Sequence, residues 1–210
     1  MPNLPISQLP ELSSSAITAN AEFAVAQGGV TYKVKQSSLN PYPQVYGLFS
    51  QTGNSVTVSG TTTETTIIGE GVGTLSVPAN GFSVGDSFQL IMGGVLNNTN
   101  DNITIKLKSD SVILATSGTF DPAAAGDNWF MSVFFTIRNI GGPTVASIST
   151  HGNFQVVKGN GQVYGTSFQT TNNTDFDTTI SNTLDITSQF SSNDQLNYIY
   201  SDLFVLNKTF

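Results

Sequence analysis

No cysteine occurs in the 210 residues, which excludes a disulfide scaffold, a zinc–thiolate centre and thiol catalysis. Charge is scarce too: Asp, Glu, Lys and Arg make up 10% of the chain, less than half the usual share of roughly 25%. Only seven Lys and Arg stand against fourteen Asp and Glu, for a net charge of −7. Apart from the pairs Lys33/Lys35 and Lys106/Lys108, the basic residues are scattered. A nucleic-acid binder needs a basic stripe to release counterions, so nucleic acid is not expected as a partner. No apolar run approaches the roughly 18 residues of a membrane span. The opening segment Met1–Pro10 has neither the basic start nor the apolar centre of a secretory signal, so the expectation is a soluble chain made in a cytoplasm, without membrane insertion.

Hydrophobic residues make up 38% of the sequence, too many for a disordered polymer. Ser, Thr, Asn, Gln and Gly supply the polarity that charge does not. Thr fits a pleated surface and Gly and Asn make tight turns, so this composition points to β-structure. The length suits one core and an appendage. The appendage is residues 1–44. Pro2, Pro5 and Pro10 deny its start a regular helix or central strand. Glu22–Ala26 and Val30–Val34 then flank Gln27-Gly28-Gly29 as a small hairpin, which is marginal alone and expected to dock on something. Asn40-Pro41-Tyr42-Pro43 reads as a stiff connector.

Residues 45–210 carry short strand patterns between Gly, Asn, Asp and Pro, with no run of helical period. Strands are expected near 45–51, 55–59, 63–69, 73–78, 87–93, 102–109, 111–117, 128–139, 145–153, 162–170, 182–190 and 199–208. The clearest alternation sets Trp129, Met131, Val133, Phe135 and Ile137 on one face against Ser132, Thr136 and Arg138 on the other, so this strand should cross the core. Ile103, Ile105 and Leu107 alternate with Thr104, Lys106 and Lys108, and Leu184, Ile186 and Phe190 with Asp185, Thr187 and Gln189. The last strand is apolar on both sides around Leu203–Leu206. Turns every ~8–12 residues fit an antiparallel β-sandwich of jelly-roll type. A β-solenoid is the competing architecture, and no fixed repeat supports it.

Candidate chemistry is sparse. His151 is the one histidine; no Gly-x-Ser-x-Gly elbow accompanies it, and it reads as a strand-end residue before a turn. Asp175 and Asp177 fall on one side of an extended segment, as a glycosidase pair would need. The same segment and Asn97–Asn102 carry oxygens suited to calcium, but neither matches a twelve-residue calcium loop; solvated Asx turns are the simpler reading. Gly69-Glu-Gly-Val-Gly73 is not a phosphate loop, and Gly159-Asn-Gly161 is a hairpin turn. Tyr42, Tyr46, Tyr164, Tyr198 and Tyr200 are candidates for a sugar-stacking platform. The Asn-x-Thr triplets at Asn97, Asn102, Asn172 and Asn207 matter only on a eukaryotic secretory route. No residue is assigned as catalytic, cofactor-binding or metal-ligating, and no cofactor is implied.

Two stretches carry a resemblance. Leu4-Pro-Ile-Ser-Gln-Leu-Pro10, followed by Glu22–Val34 with its Gln-Gly-Gly-Val-Thr-Tyr-Lys hairpin and by Ser38-Leu39, resembles the N-terminal modules of phage fibre and appendage proteins, which attach those proteins to the virion. Gly81–Phe88, Phe134–Arg138, Phe176–Ile186 and Ile199–Lys208 are similar to structural proteins of aquatic phages and large DNA viruses. The resemblance implies a non-enzymatic virion component: a fibre or spike head, or a capsid or tail decoration subunit. Residues 1–44 would bind other virion proteins. It also implies a homo-oligomer, a trimer in the fibre-like case, with host surface glycan as a conceivable target. The alternatives are a carbohydrate-binding module or adhesin domain, and a polysaccharide-degrading enzyme acting through Asp175 or Asp177.

Overall fold

The computed structural model describes residues 22–27, 30–35, 46–122 and 125–210. Contacts divide the chain into two units, Met1–Gln44 and Val45–Phe210. In the first, β1 (Glu22–Gln27) and β2 (Val30–Lys35) pair antiparallel from Glu22↔Lys35 to Gln27↔Val30. The glycines expected at its turn, the proline-rich start and the Asn40–Pro43 connector lie outside the described residues.

The second unit is an antiparallel β-sandwich, and no helix occurs among the described residues. Its larger, eight-stranded sheet runs in the order β13 (Val163–Asn173), β12 (Ser147–Val157), β11 (Ala125–Asn139), β8 (Ser87–Asn98), β15 (Tyr198–Lys208), β3 (Tyr46–Gln51) and β6 (Gly71–Gly73), with β4 (Val58–Ser59) also on β15. The five-stranded sheet runs β10 (Val112–Thr116), β9 (Ile103–Ser109), β14 (Asn182–Phe190) and β5 (Thr65–Thr66), with β7 (Ser76–Val77) also on β14. Strands β11, β12 and β13 form a meander, while β8 is held between β11 and the chain-terminal β15.

Period-two alternation builds the core between the sheets. Trp129, Met131, Val133, Phe135 and Ile137 of β11 are all buried, as are Ile103, Ile105 and Leu107 of β9 and Leu184, Ile186 and Phe190 of β14. Aromatic pairs bridge neighbouring strands: Phe88 stacks on Phe135 with centroids 4.9 Å apart, and Phe49 meets Phe204 at 5.2 Å. Each such ring removed from water contributes about 1.5–3 kcal/mol.

Four expectations are corrected. Strand β8 does not stop at Gly93 but continues to Asn98, because Gly93 and Gly94 lie opposite an irregularity in β15 between Ser201 and Leu203. That β-bulge also resolves the doubly apolar reading of the last strand. Ile199 and Ser201 face the core before it, Phe204 and Leu206 after it, and Leu203 is turned outward. Between Gln51 and Pro78, regular structure is confined to the short strands β4 to β7, so the expected strands at 55–59 and 63–69 shrink to two residues each. There the chain is fastened by isolated backbone bonds, such as the Ile67 amide to the Ile186 carbonyl at 2.9 Å, and by side chains. Buried Ser201 donates from its hydroxyl to the Ile67 carbonyl at 2.7 Å, and its backbone amide donates to Ser55 Oγ at 2.9 Å. Finally, His151 is not at a strand end but mid-strand in β12, which runs on to Val157.

Candidate functional site

The two sheets present different outer surfaces. On the five-stranded sheet, Lys106 and Lys108 of β9 point away from the core, and the side chain of Glu64, just before the edge strand β5, reaches them past Thr187 of β14. Glu64 of that segment accepts from Lys106 Nζ at 2.5 Å and Lys108 Nζ at 2.8 Å, and from Thr187 Oγ1 at 3.0 Å. Its carboxyl is drawn down from the usual 4.5 to about 2, chiefly by those two lysine bonds. Thr66 adds a bond to Asp185 at 2.6 Å, and Gln189 one to the Thr62 carbonyl at 2.8 Å. Segment 62–66 is therefore an edge segment tied to the sheet by its side chains as well as by β5, and Thr187 is buried under the Glu64 carboxylate although it points outward.

The outer face of the eight-stranded sheet carries the opposite chemistry. Phe130 and Phe134 on β11, Val157 on β12, Val163 on β13 and Leu203 on β15 are exposed, from 40% for Phe130 to 58% for Val163. The register aligns them in rows: Phe130 lies opposite Gly93, which lies opposite Leu203, and Val157 lies opposite Val163. Half-buried Ile91 and Val95 of β8 fill the same surface. The remaining outward positions of β8 (89–95), β11 (128–134), β12 (151–157) and β13 (163–169) are Ser, Asn, Gln, Gly and His151, with no Asp, Glu, Lys or Arg. His151 is exposed between Phe134 and Gln169. Asp202 at the bulge and Arg138 near the end of β11 border this surface. Across the strands Phe130 is flanked by Gly93 and Gln155 and Phe134 by Gln89 and His151; single exposed apolar residues are ordinary, but several on one uncharged face mark a candidate interaction surface.

The residues singled out in the sequence do not converge. Tyr198 and Tyr200 alternate with core-facing Ile199 and so lie on the outer side of β15. Tyr164 alternates the other way on β13, its ring 5.1 Å from Lys158 Nζ. Tyr42 lies outside the described residues, as does the side chain of Tyr46. Asp175 and Asp177 flank Phe176, whose ring is buried in the core. Asp177 Oδ1 accepts from the Thr179 amide at 2.8 Å and the Thr179 hydroxyl at 2.7 Å, which is an Asx turn. In the Asn97–Asn102 loop, Asp101 accepts from Ser191 Oγ, Ser192 Oγ and the Ser192 amide, and from Asn197 Nδ2 at 2.8 Å. Burial alone would raise this carboxyl, but those serine bonds, with the backbone bonds from Asn102 and Ser192, outweigh it and hold it below the usual range. The loop is thereby pinned to the segment leading into β15.

One apolar cavity of about 70 Å³ lies between the sheets, among Leu48, Leu75, Phe82, Phe176 and Leu184. It is well below the roughly 300–1,000 Å³ of a small-molecule site. Its polar lining is already paired: Ser109 Oγ donates to Asn182 Oδ1 at 2.7 Å, and Asn182 Nδ2 donates to the carbonyls of Asp177 and Ile180. It is a packing gap at the end of the sandwich. The outer face of the large sheet is the candidate site. The sequence marks Phe130–Phe135 and Leu203–Leu206 as apolar on both faces, as sheet faces buried between subunits would be, but only the pairing of β11, β8 and β15 brings Phe130 and Leu203 into one row.

The chain matches no protein-family model, no curated protein and no solved structure.

Proposed function

We propose that this chain is a non-enzymatic structural protein of a virion, in which a sandwich head of jelly-roll type is carried by residues 1–44 as the attachment segment. The virion assignment rests on the sequence resemblance of Leu4–Pro10 and Gln27–Lys33 to fibre attachment modules. The assembly role is carried by one structural observation, the uncharged outward positions of β8, β11, β12 and β13 with exposed Phe130 and Phe134 among them. A protein that works alone in water has little use for such a surface, while a subunit buries it. In this reading the head forms homo-oligomers, three copies in a fibre-like arrangement, and residues 1–44 dock on other virion proteins. A carbohydrate-binding role draws less support, since the tyrosines that would stack on a sugar are divided between two sides of the large sheet.

The test is recovery of the chain from particles. Mass spectrometry of density-purified particles from the source culture should find it in stoichiometric amount. Deletion of residues 1–44 should remove it from particles while residues 45–210 keep their β circular-dichroism spectrum. A chain missing from the particles, or one that still incorporates without residues 1–44, contradicts the reading.

A further inference from the structure

We infer that the outer face of the large sheet is covered by a second copy of this same chain, with Phe130 and Phe134 at the centre of the contact. The inference rests on the assembly reading above and adds to it the occupant of the surface.

Three observations favour a copy over an unrelated partner. Charge comes first. The chain carries −7 overall, so two copies repel wherever charged surfaces meet. Here the outward positions of β8, β11, β12 and β13 across the rows hold no carboxylate and no Lys or Arg, so like can meet like without burying an unpaired charge. A basic partner would find nothing to pair with on these strands, and an acidic one would gain nothing over a copy.

Size comes second. Outward residues on a strand are about 6.6 Å apart and strands about 4.8 Å apart, so four rows across β13, β12, β11 and β8 project roughly 500 Å². Side-chain relief raises the accessible area above its projection. That is close to the roughly 800 Å² each partner buries in a standard interface.

The third is anatomy. Aromatic side chains sit mid-surface, amides and hydroxyls surround them, and the charges Arg138 and Asp202 stand at the border. Protein interfaces share this arrangement of apolar centre and polar rim. An uncharged patch of this kind meets another copy of the chain without asking for charge complementarity from it.

The experiment is light scattering on the full chain, with single lysine substitutions. Wild type should run at a multiple of 22.2 kDa. Phe130→Lys and Phe134→Lys should each weaken self-association by about 30-fold or more, as loss of an interface anchor does. Ile113→Lys, at an exposed position on the other sheet, should leave the mass unchanged. Both phenylalanines are 40% or more exposed in the single chain, so circular dichroism and thermal melting should show the variants folded. A monomeric wild type, or an oligomer indifferent to Phe130→Lys and Phe134→Lys, overturns the inference. A chain that self-associates through this face yet is missing from particles overturns the virion reading alone.

Discussion

The indole nitrogen of Trp129 donates to the carbonyl oxygen of Tyr200 at 3.1 Å, linking β11 to β15 across the strand that separates them. The intervening residue is Gly94, which the register places opposite both Trp129 and Ser201. A methyl group there would meet the Tyr200 oxygen at 2.1 Å and Ser201 Cα at 2.7 Å. Absence of a side chain at Gly94 thus lets β15 bulge inward and lets the indole reach it. The bulge in turn rotates Leu203 out to the exposed face.

Gly94→Ala should therefore cost more than a typical core overpacking change of 1–3 kcal/mol, because the obstructing atoms are backbone. Trp129→Phe should cost about 2–4 kcal/mol, combining the volume lost with a carbonyl left short of its donor. The two effects should not add, since either change already releases the bulge. Urea denaturation of the single and double variants measures this, and full additivity would mean that the bulge and the indole are independent.

Glu64 makes stability depend on acid. Its carboxyl titrates near 2 in the fold against an ordinary 4.5, so the folded state holds the ionised form more firmly than the unfolded chain does. The stabilisation is complete above about pH 4.5 and is lost as pH falls toward 2. Because the group is partly solvated, the contribution is discounted to about 1–2 kcal/mol. Glu64→Gln should lower stability by that amount at pH 7, and by progressively less as wild type and variant are compared at pH 4, 3 and 2.5. A difference that stays constant with pH would place the hold on this edge segment in Thr66 and Gln189 rather than in the lysine clamp.

The fold class was legible in the sequence because alternation is a local signal. Each residue of Trp129–Ile137 declares its face through its neighbour two positions away, and Asn182–Phe190 has the bounds that its pattern indicates. Gly93-Gly94 misled because glycine usually punctuates, whereas here it admits a neighbouring backbone. Segment 52–69 misled for a different reason. Its Thr and Val residues carry strand propensity, yet the segment is held at Ile67 by Ser201, at Gly69 by Gln51 and at Glu64 by Lys106, partners that propensity does not register. Likewise, the candidate surface depends on β11 lying beside β8 and β8 beside β15, a pairing between segments far apart in the chain that no local pattern encodes.

Gly152 tests the packing of the meander. It sits on the core-facing side of β12, opposite Phe168 of β13 and Val133 of β11. A Cβ there would meet Phe168 Cε2 at 2.5 Å and Val133 Cγ2 at 2.8 Å. Phe168 thus lies over the glycine, filling with its ring the space the missing side chain leaves. Two effects oppose each other in Gly152→Ala. Removing a glycine from a strand gains about 0.5–1 kcal/mol by reducing the freedom of the unfolded chain. Displacing a ring that is itself buried at 4% exposure costs about 1–3 kcal/mol. The cost is larger, so Gly152→Ala should destabilise by about 1–2 kcal/mol. Phe168→Leu in the same chain should recover part of that loss, because the smaller side chain makes room for the methyl group. A Gly152→Ala variant more stable than wild type in urea would show that Phe168 does not rest on the glycine.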